Sequence, residues 1–141
     1  AGAFAIIVCC GYFLAAFGIW TEAEAADIGV LAVGFILSRA LNGFGICTFP
    51  CAKNSGLAAT FAQAADRKRC QIVLVIEILL CIAGMLLMDP LRGTKAAVVA
   101  VVVCLCCRRM AIKTFGGITG DIQGFFQQIC ELTMAYVVIL Q

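Results

Sequence analysis

Four stretches of this chain are apolar for about the length of a bilayer crossing: residues 1–20, about 28–48, about 70–88 and about 122–140. A helix needs ~20 such residues to span the hydrocarbon core. A fifth stretch, about 95–107, is shorter and reaches bilayer length only if Arg108 and Arg109 snorkel at its end. The third is stopped by Asp89-Pro90, because proline cannot continue a helix. Inside lipid every backbone polar group must be satisfied within the element, so runs of this kind predict helices rather than loops or open sheets. The reading is all-α: a polytopic transmembrane helix bundle of about five spanning helices in one integral membrane domain over residues 1–141.

Composition agrees. Only 13% of the residues are charged, against roughly 25% in soluble domains, and the mean hydropathy is +1.09. A net charge of +2 gives no electrostatic reason to expect nucleic acid as a partner. The ten cysteines sit mostly inside apolar runs, and there is no histidine. Buried free cysteine behaves as a small hydrophobe, so packing is the expectation over metal or redox chemistry. The chain opens on AGAFAIIVCCGYF without a basic n-region or cleavage site, which reads as the C-terminal part of a longer chain rather than as a leader.

Charge in the connections alternates. Residues 21–27 are acidic, 50–69 end in Asp66-Arg67-Lys68-Arg69, 89–95 are nearly neutral, and 108–121 carry Arg108, Arg109 and Lys113. Basic loops stay cytoplasmic, so 50–69 and 108–121 are expected there, with the start of the chain on the same side and its end opposite. The basic runs read as topology determinants facing anionic lipid. The stretch LAATFAQAA, residues 57–65, is expected to form a short interfacial helix.

Polar residues inside the apolar runs are the site candidates, because charge in hydrocarbon is costly without a partner. Asp121, Gly124, Gln128 and Glu131 are spaced 3, 4 and 3, which puts them within about 80° on a helix. Glu131 lies ~15 Å deeper than Asp121 at 1.5 Å rise per residue. Before them, Gly116-Gly117-Ile118-Thr119-Gly120 offers backbone N–H groups to an anion at a helix start. The plainer alternative is a capped helix, with Asp121 as N-cap and Glu131 paired to an arginine. In the second run Gly34, Ser38, Asn42 and Gly45 share a face, and Arg39 adjoins it. A guanidinium there would clamp phosphate bidentately, or would pair with Glu77 or Glu131 to hold the bundle together. Glu77 reads as structural. Lys53, Asn54 and Ser55 read as solvated loop residues first, with contact to a substrate as the alternative.

The run GGITGDIQGFFQQICE, residues 116–131, resembles the C-terminal signature of the cobalamin synthase family at Gly116, Gly117, Thr119, Gly120, Asp121, Gly124 and Glu131. Ser38-Arg39, Lys53 and SGLAATF at 55–61 support the resemblance. It implies a multi-pass enzyme of the bacterial cytoplasmic membrane, with its active side cytoplasmic. Such an enzyme joins adenosylcobinamide-GDP to α-ribazole or its phosphate and releases GMP with Mg²⁺. Asp121 and Glu131 would then be catalytic. Ser38, Arg39, Asn42, Lys53, Gly116, Gly117, Thr119, Gly120 and Gln128 would bind substrate. The family's main metal ligands belong to an aspartate-rich segment absent from these residues, which leaves Asp121 as a candidate metal ligand and the remainder unassigned. Oligomerisation and association with other enzymes of the pathway stay open. The rival class is a non-catalytic membrane assembly or carrier subunit whose polar stripes only pack helices.

Overall fold

The computed structural model describes residues 2–49 and 66–140. They form five helices and no strand: α1 Ala3–Thr21, α2 Ala25–Thr48, α3 Arg67–Met88, α4 Pro90–Phe115 and α5 Gly120–Ile139. Three of them, α1, α2 and α3, are long and apolar enough to cross a membrane. Lys53, Asn54, Ser55 and the expected interfacial helix at 57–65 lie outside the described residues.

Helix α2 is central, in contact with α3, α4 and α5. Val30, Leu31, Leu37 and Leu41 are buried on it among Cys81 and Met85 of α3, Ala96, Ala97 and Ala100 of α4, and Phe126, Cys130, Met134 and Val138 of α5. The alanines of α4 let its backbone approach its neighbours, as small residues do in membrane bundles. Gly34 serves α2 in the same way: a Cβ there would sit 3.4 Å from Met134 Sδ. Helix α1 is peripheral. Only Ile19 is buried on it, near the end where the Trp20 and Phe35 rings meet at 6.1 Å. Its exposed side chains, such as Phe4, Phe13 and Leu14, are apolar on every side, as a helix in hydrocarbon must be.

Helix boundaries follow local chemistry more than hydropathy. Helix α2 begins at Ala25 because Glu24 and Asp27 form a capping box, the Glu24 N–H donating to Asp27 Oδ2 at 2.8 Å. The stretch read as a short fourth run is the middle of a 26-residue helix, ~39 Å long at 1.5 Å per residue. Pro90 opens α4 at its first position, where no N–H is needed. Asp89 caps it by accepting from the N–H groups of Leu91 and Arg92, each at 3.0 Å. Gly116 closes α4 in the left-handed conformation, at φ 73°. Helices α2 to α5 alternate in direction: Cys47 of α2 meets Gln71 of α3, Gly93 of α4 meets Met85 of α3, and Ser38 of α2 meets Glu131 of α5. The end where α2 and α4 finish and α3 and α5 begin carries Arg67, Lys68, Arg69, Arg108, Arg109 and Lys113.

The opposite end holds an ion cluster that the sequence reading missed. Asp27 is 2% exposed. Arg92, in the stretch read as a nearly neutral loop, reaches across to it with Nε 3.1 Å from Oδ1, close enough for an ion pair but without an aligned hydrogen bond. The same guanidinium meets Asp89 at 3.4 Å and Glu24 at 4.0 Å. One arginine thus ties the start of α2 to the α3–α4 corner.

A polar site between helices 2 and 5

Two rows of polar side chains meet where α2 and α5 pack. Ser38 and Asn42 stand four residues apart on α2; Gln123, Gln127 and Glu131 repeat at the same spacing on α5. Residues four apart share a helix face, so the antiparallel rows can interlock. Ser38 is fully buried, and its Oγ lies 3.0 Å from Glu131 Oε1 and 2.9 Å from the Phe35 carbonyl oxygen. Asn42 Nδ2 donates to Gln127 Oε1 at 3.0 Å and lies 3.4 Å from the Gln123 carbonyl oxygen. Gln127 Nε2 in turn donates to Glu131 Oε1 at 3.1 Å. The Arg39 guanidinium completes the set, 3.6 Å from the same oxygen.

Arg39 therefore pairs with Glu131 rather than with Glu77, of the two partners open at the level of sequence. The pair is asymmetric. The Glu131 side chain is 17% exposed and Arg39 65%, so the carboxylate is held and the guanidinium remains open to a ligand. Helix α1 also packs against α5.

The remaining members of the expected α5 stripe are elsewhere. Asp121, Gly124 and Gln128 are exposed and take no part in the hydrogen bonds around Glu131. They form an open strip running from the basic end of the bundle toward Arg39 and Glu131. A Cβ added at Gly120 or Gly124 would meet nothing within 4 Å, so a ligand can approach this backbone closely. The glycine loop is partly structural: Gly117 is buried, and its N–H returns to the Ala111 carbonyl at 3.2 Å. Thr119, not Asp121, caps α5, its Oγ1 accepting from the Ile122 N–H at 3.3 Å. Asp121 is thereby free of capping and sits in the first turn, where a negative charge complements the helix dipole.

The sequence reading missed Gln123 and Gln127 because it followed the face of Gln128. Neighbouring residues on a helix point 100° apart, so only one of Gln127 and Gln128 can face α2. The spacing of four between Ser38 and Asn42 was the available signal, since it matches Gln127–Glu131 and not Gln128–Glu131. A cavity of about 20 Å³, room for one water, lies beside the rows, lined by Gly45, Phe49, Arg108 and Gln123. The Arg108 guanidinium stacks over the Phe49 ring at 4.7 Å. Gln123 Nε2 and Asn42 Oδ1 are buried without a hydrogen-bond partner among the described residues. The nine described cysteines are free. Among the described residues no three Asp, Glu, Cys or His side chains gather to hold a metal ion.

Fold and site together define a helical membrane protein with a charged, hydrogen-bonded site inside its bundle. The chain belongs to the cobalamin-5-phosphate synthase family, whose model matches residues 1–139. A relative from Lachnoclostridium phytofermentans, named adenosylcobinamide-GDP ribazoletransferase, is 37% identical over 139 residues, covering 99% of this chain and 53% of the relative. The chain thus spans about half the length of the curated relative it matches. No solved structure matches it.

Proposed function

We propose that this chain is part of an adenosylcobinamide-GDP ribazoletransferase acting late in cobalamin synthesis. In that reaction a hydroxyl of α-ribazole, or of its phosphate, attacks the phosphorus attached to cobinamide. The bond from that phosphorus to the bridging oxygen breaks, and GMP leaves with the oxygen. Family membership supports this reading over a carrier or assembly subunit. The observation that carries it is the juxtaposition of Ser38-Arg39 with Glu131, 93 residues apart in sequence yet 3.0 Å apart through Ser38. The two segments that resemble the family thereby form one site.

Phosphoryl transfer is catalysed mostly by positioning and charge neutralisation. Arg39 is suited to the diphosphate, because a planar guanidinium binds phosphate oxygens bidentately and most of this one is open. Glu131, held by Ser38 and Gln127, is suited to orient the attacking hydroxyl. Asp121 lies on the strip leading in from the basic end, which the positive-inside rule puts on the cytoplasmic side of the inner membrane, where nucleotide arrives. Ser38, Gly116, Gly117, Thr119, Gly120 and Gln128 complete the proposed substrate-binding set, with Lys53 from outside the described residues, while the Asn42 amide is taken up by Gln127 and the Gln123 carbonyl. Mg²⁺ belongs to the proposal as the phosphate-neutralising ion, but the described residues do not assemble a site for it. The proposed roles therefore rest on this chain's own polar groups.

Asp121→Asn tests the reading. Turnover of adenosylcobinamide-GDP by the complete protein is expected to fall by at least tenfold, about 1.4 kcal/mol in the barrier, with membrane insertion unchanged. Turnover near wild type would remove Asp121 from the site.

A further inference from the structure

Gln127 is not among the matched positions of the 116–131 signature, yet it occupies the middle of the polar site. Its amide orientation follows from acceptors at both ends, the Glu131 carboxylate on one side and the Gln123 carbonyl that turns Asn42 Nδ2 toward it on the other. Asn42 Nδ2 can only donate, so the Gln127 atom 3.0 Å from it is the oxygen. The Gln127 NH₂ then necessarily faces the other way, where it donates to Glu131 Oε1 at 3.1 Å. The other contacts on that oxygen are less directional. Ser38 has one proton to divide between Glu131 at 3.0 Å and the Phe35 carbonyl at 2.9 Å. Arg39 stands at 3.6 Å on a side chain that is 65% exposed.

We propose that Gln127, braced by Asn42, is a positioning residue that fixes the orientation of the Glu131 carboxylate toward the reacting hydroxyl. The inference rests on the ribazoletransferase reading. Ser38, Gln127 and Arg39 all approach Oε1. A carboxylate has two oxygens, so Oε2 is the one left for substrate. Asn42 acts through Gln127 rather than on substrate, because its donor group is already directed at Gln127 and at the Gln123 carbonyl. A clamp serving only to join two helices would be expected deep in the core. This one ends at a side chain that is 17% exposed beside an open arginine and the Gly124–Gln128 strip. Losing such a support lets a reacting group shift, and a misplacement of ~1 Å can cost about 100-fold in rate.

The test is steady-state kinetics of the complete protein in vesicles, with adenosylcobinamide-GDP varied at saturating α-ribazole. Gln127→Met keeps the length and apolar volume but loses the donor. It is expected to lower kcat about tenfold while KM stays within about twofold. Asn42→Asp keeps the shape of its side chain but turns the brace into an acceptor, which draws the Gln127 NH₂ away from Glu131. It is expected to lower kcat comparably, and the double variant is expected to be no slower than Gln127→Met alone, because the two residues act in series. Wild-type kcat in Gln127→Met, a loss confined to KM, or multiplicative losses in the double variant would overturn the inference. Glu131→Gln separates the two levels. If it abolishes turnover while Gln127→Met does not slow it, only the positioning role falls. If Glu131→Gln turns over normally, or the wild type does not turn over, the functional reading falls and the inference with it.

Discussion

An arginine at position 39 stands within a helix long and apolar enough to cross a membrane, ~14 Å from its end at Thr48 by helical rise. Charge at that depth is tolerated when it faces protein or a polar cavity. Here it meets Glu131 at 3.6 Å, with most of its surface still open. Lysine would keep the charge but lose the planar fork that matches phosphate. Arg39→Lys is expected to reduce kcat/KM for adenosylcobinamide-GDP by roughly 10- to 100-fold, measured in vesicles alongside a helical circular-dichroism spectrum like that of wild type. Loss of the folded protein instead would assign Arg39 to bundle stability. Arg39 and Glu131 were legible as sequence because a charge in an apolar run stands out. Gln127 was not, because two adjacent glutamines look equivalent until the rotation of α5 about its axis is known.

The corner between α3 and α4 is a tight junction. A Cβ on Gly93 would lie 2.5 Å from the Met85 carbonyl oxygen, a backbone atom that cannot swing aside. Gly93→Ala is therefore expected to destabilise the bundle by about 1–3 kcal/mol, read as a lower melting temperature. Gly124→Ala, in open space, is expected to leave the melting temperature unchanged or raise it slightly, since alanine favours helix by up to about 1 kcal/mol. Asp89, at the same corner, is held below the usual carboxylate range by the Arg92 N–H above all; desolvation opposes this next, and the Leu91 N–H and the Arg92 charge lower it further. A carboxylate depressed on folding contributes stability that is complete above its unfolded pKa of about 3.9 and is lost as pH falls through the folded value. Asp89→Ser keeps a capping oxygen and removes the titration. Melting temperature followed below about pH 4 is expected to fall more steeply in wild type than in the variant; parallel curves would contradict it. The Asp89-Pro90 break itself was legible, because proline sets the boundary locally. The reach of α4 to 26 residues was not. Its basic ends look like loops until capping at Asp89 and Gly116 shows that the helix runs through them.

At the scale of the whole molecule, hydrophobic run length was enough to indicate an all-helical membrane bundle, because lipid leaves few other ways to satisfy the backbone. It did not reveal which helix is central. That depends on which faces bury small residues, and on the Arg92 cluster joining Glu24 and Asp27 at the start of α2 to Asp89 at the α3–α4 corner. The site is equally a product of the whole fold. Serine, arginine and asparagine on α2 acquire chemical meaning only when α5 brings Gln127 and Glu131 against them. Under the proposed function, this site serves transfer of a cobinamide phosphate from GMP to ribazole. The decisive experiment supplies the complete protein, in vesicles, with adenosylcobinamide-GDP and α-ribazole, and measures GMP and the joined product together. The two are predicted to appear in equal amounts, and both to be lost in Glu131→Gln. No GMP release, or GMP released without the joined product, would rule out that role for the site.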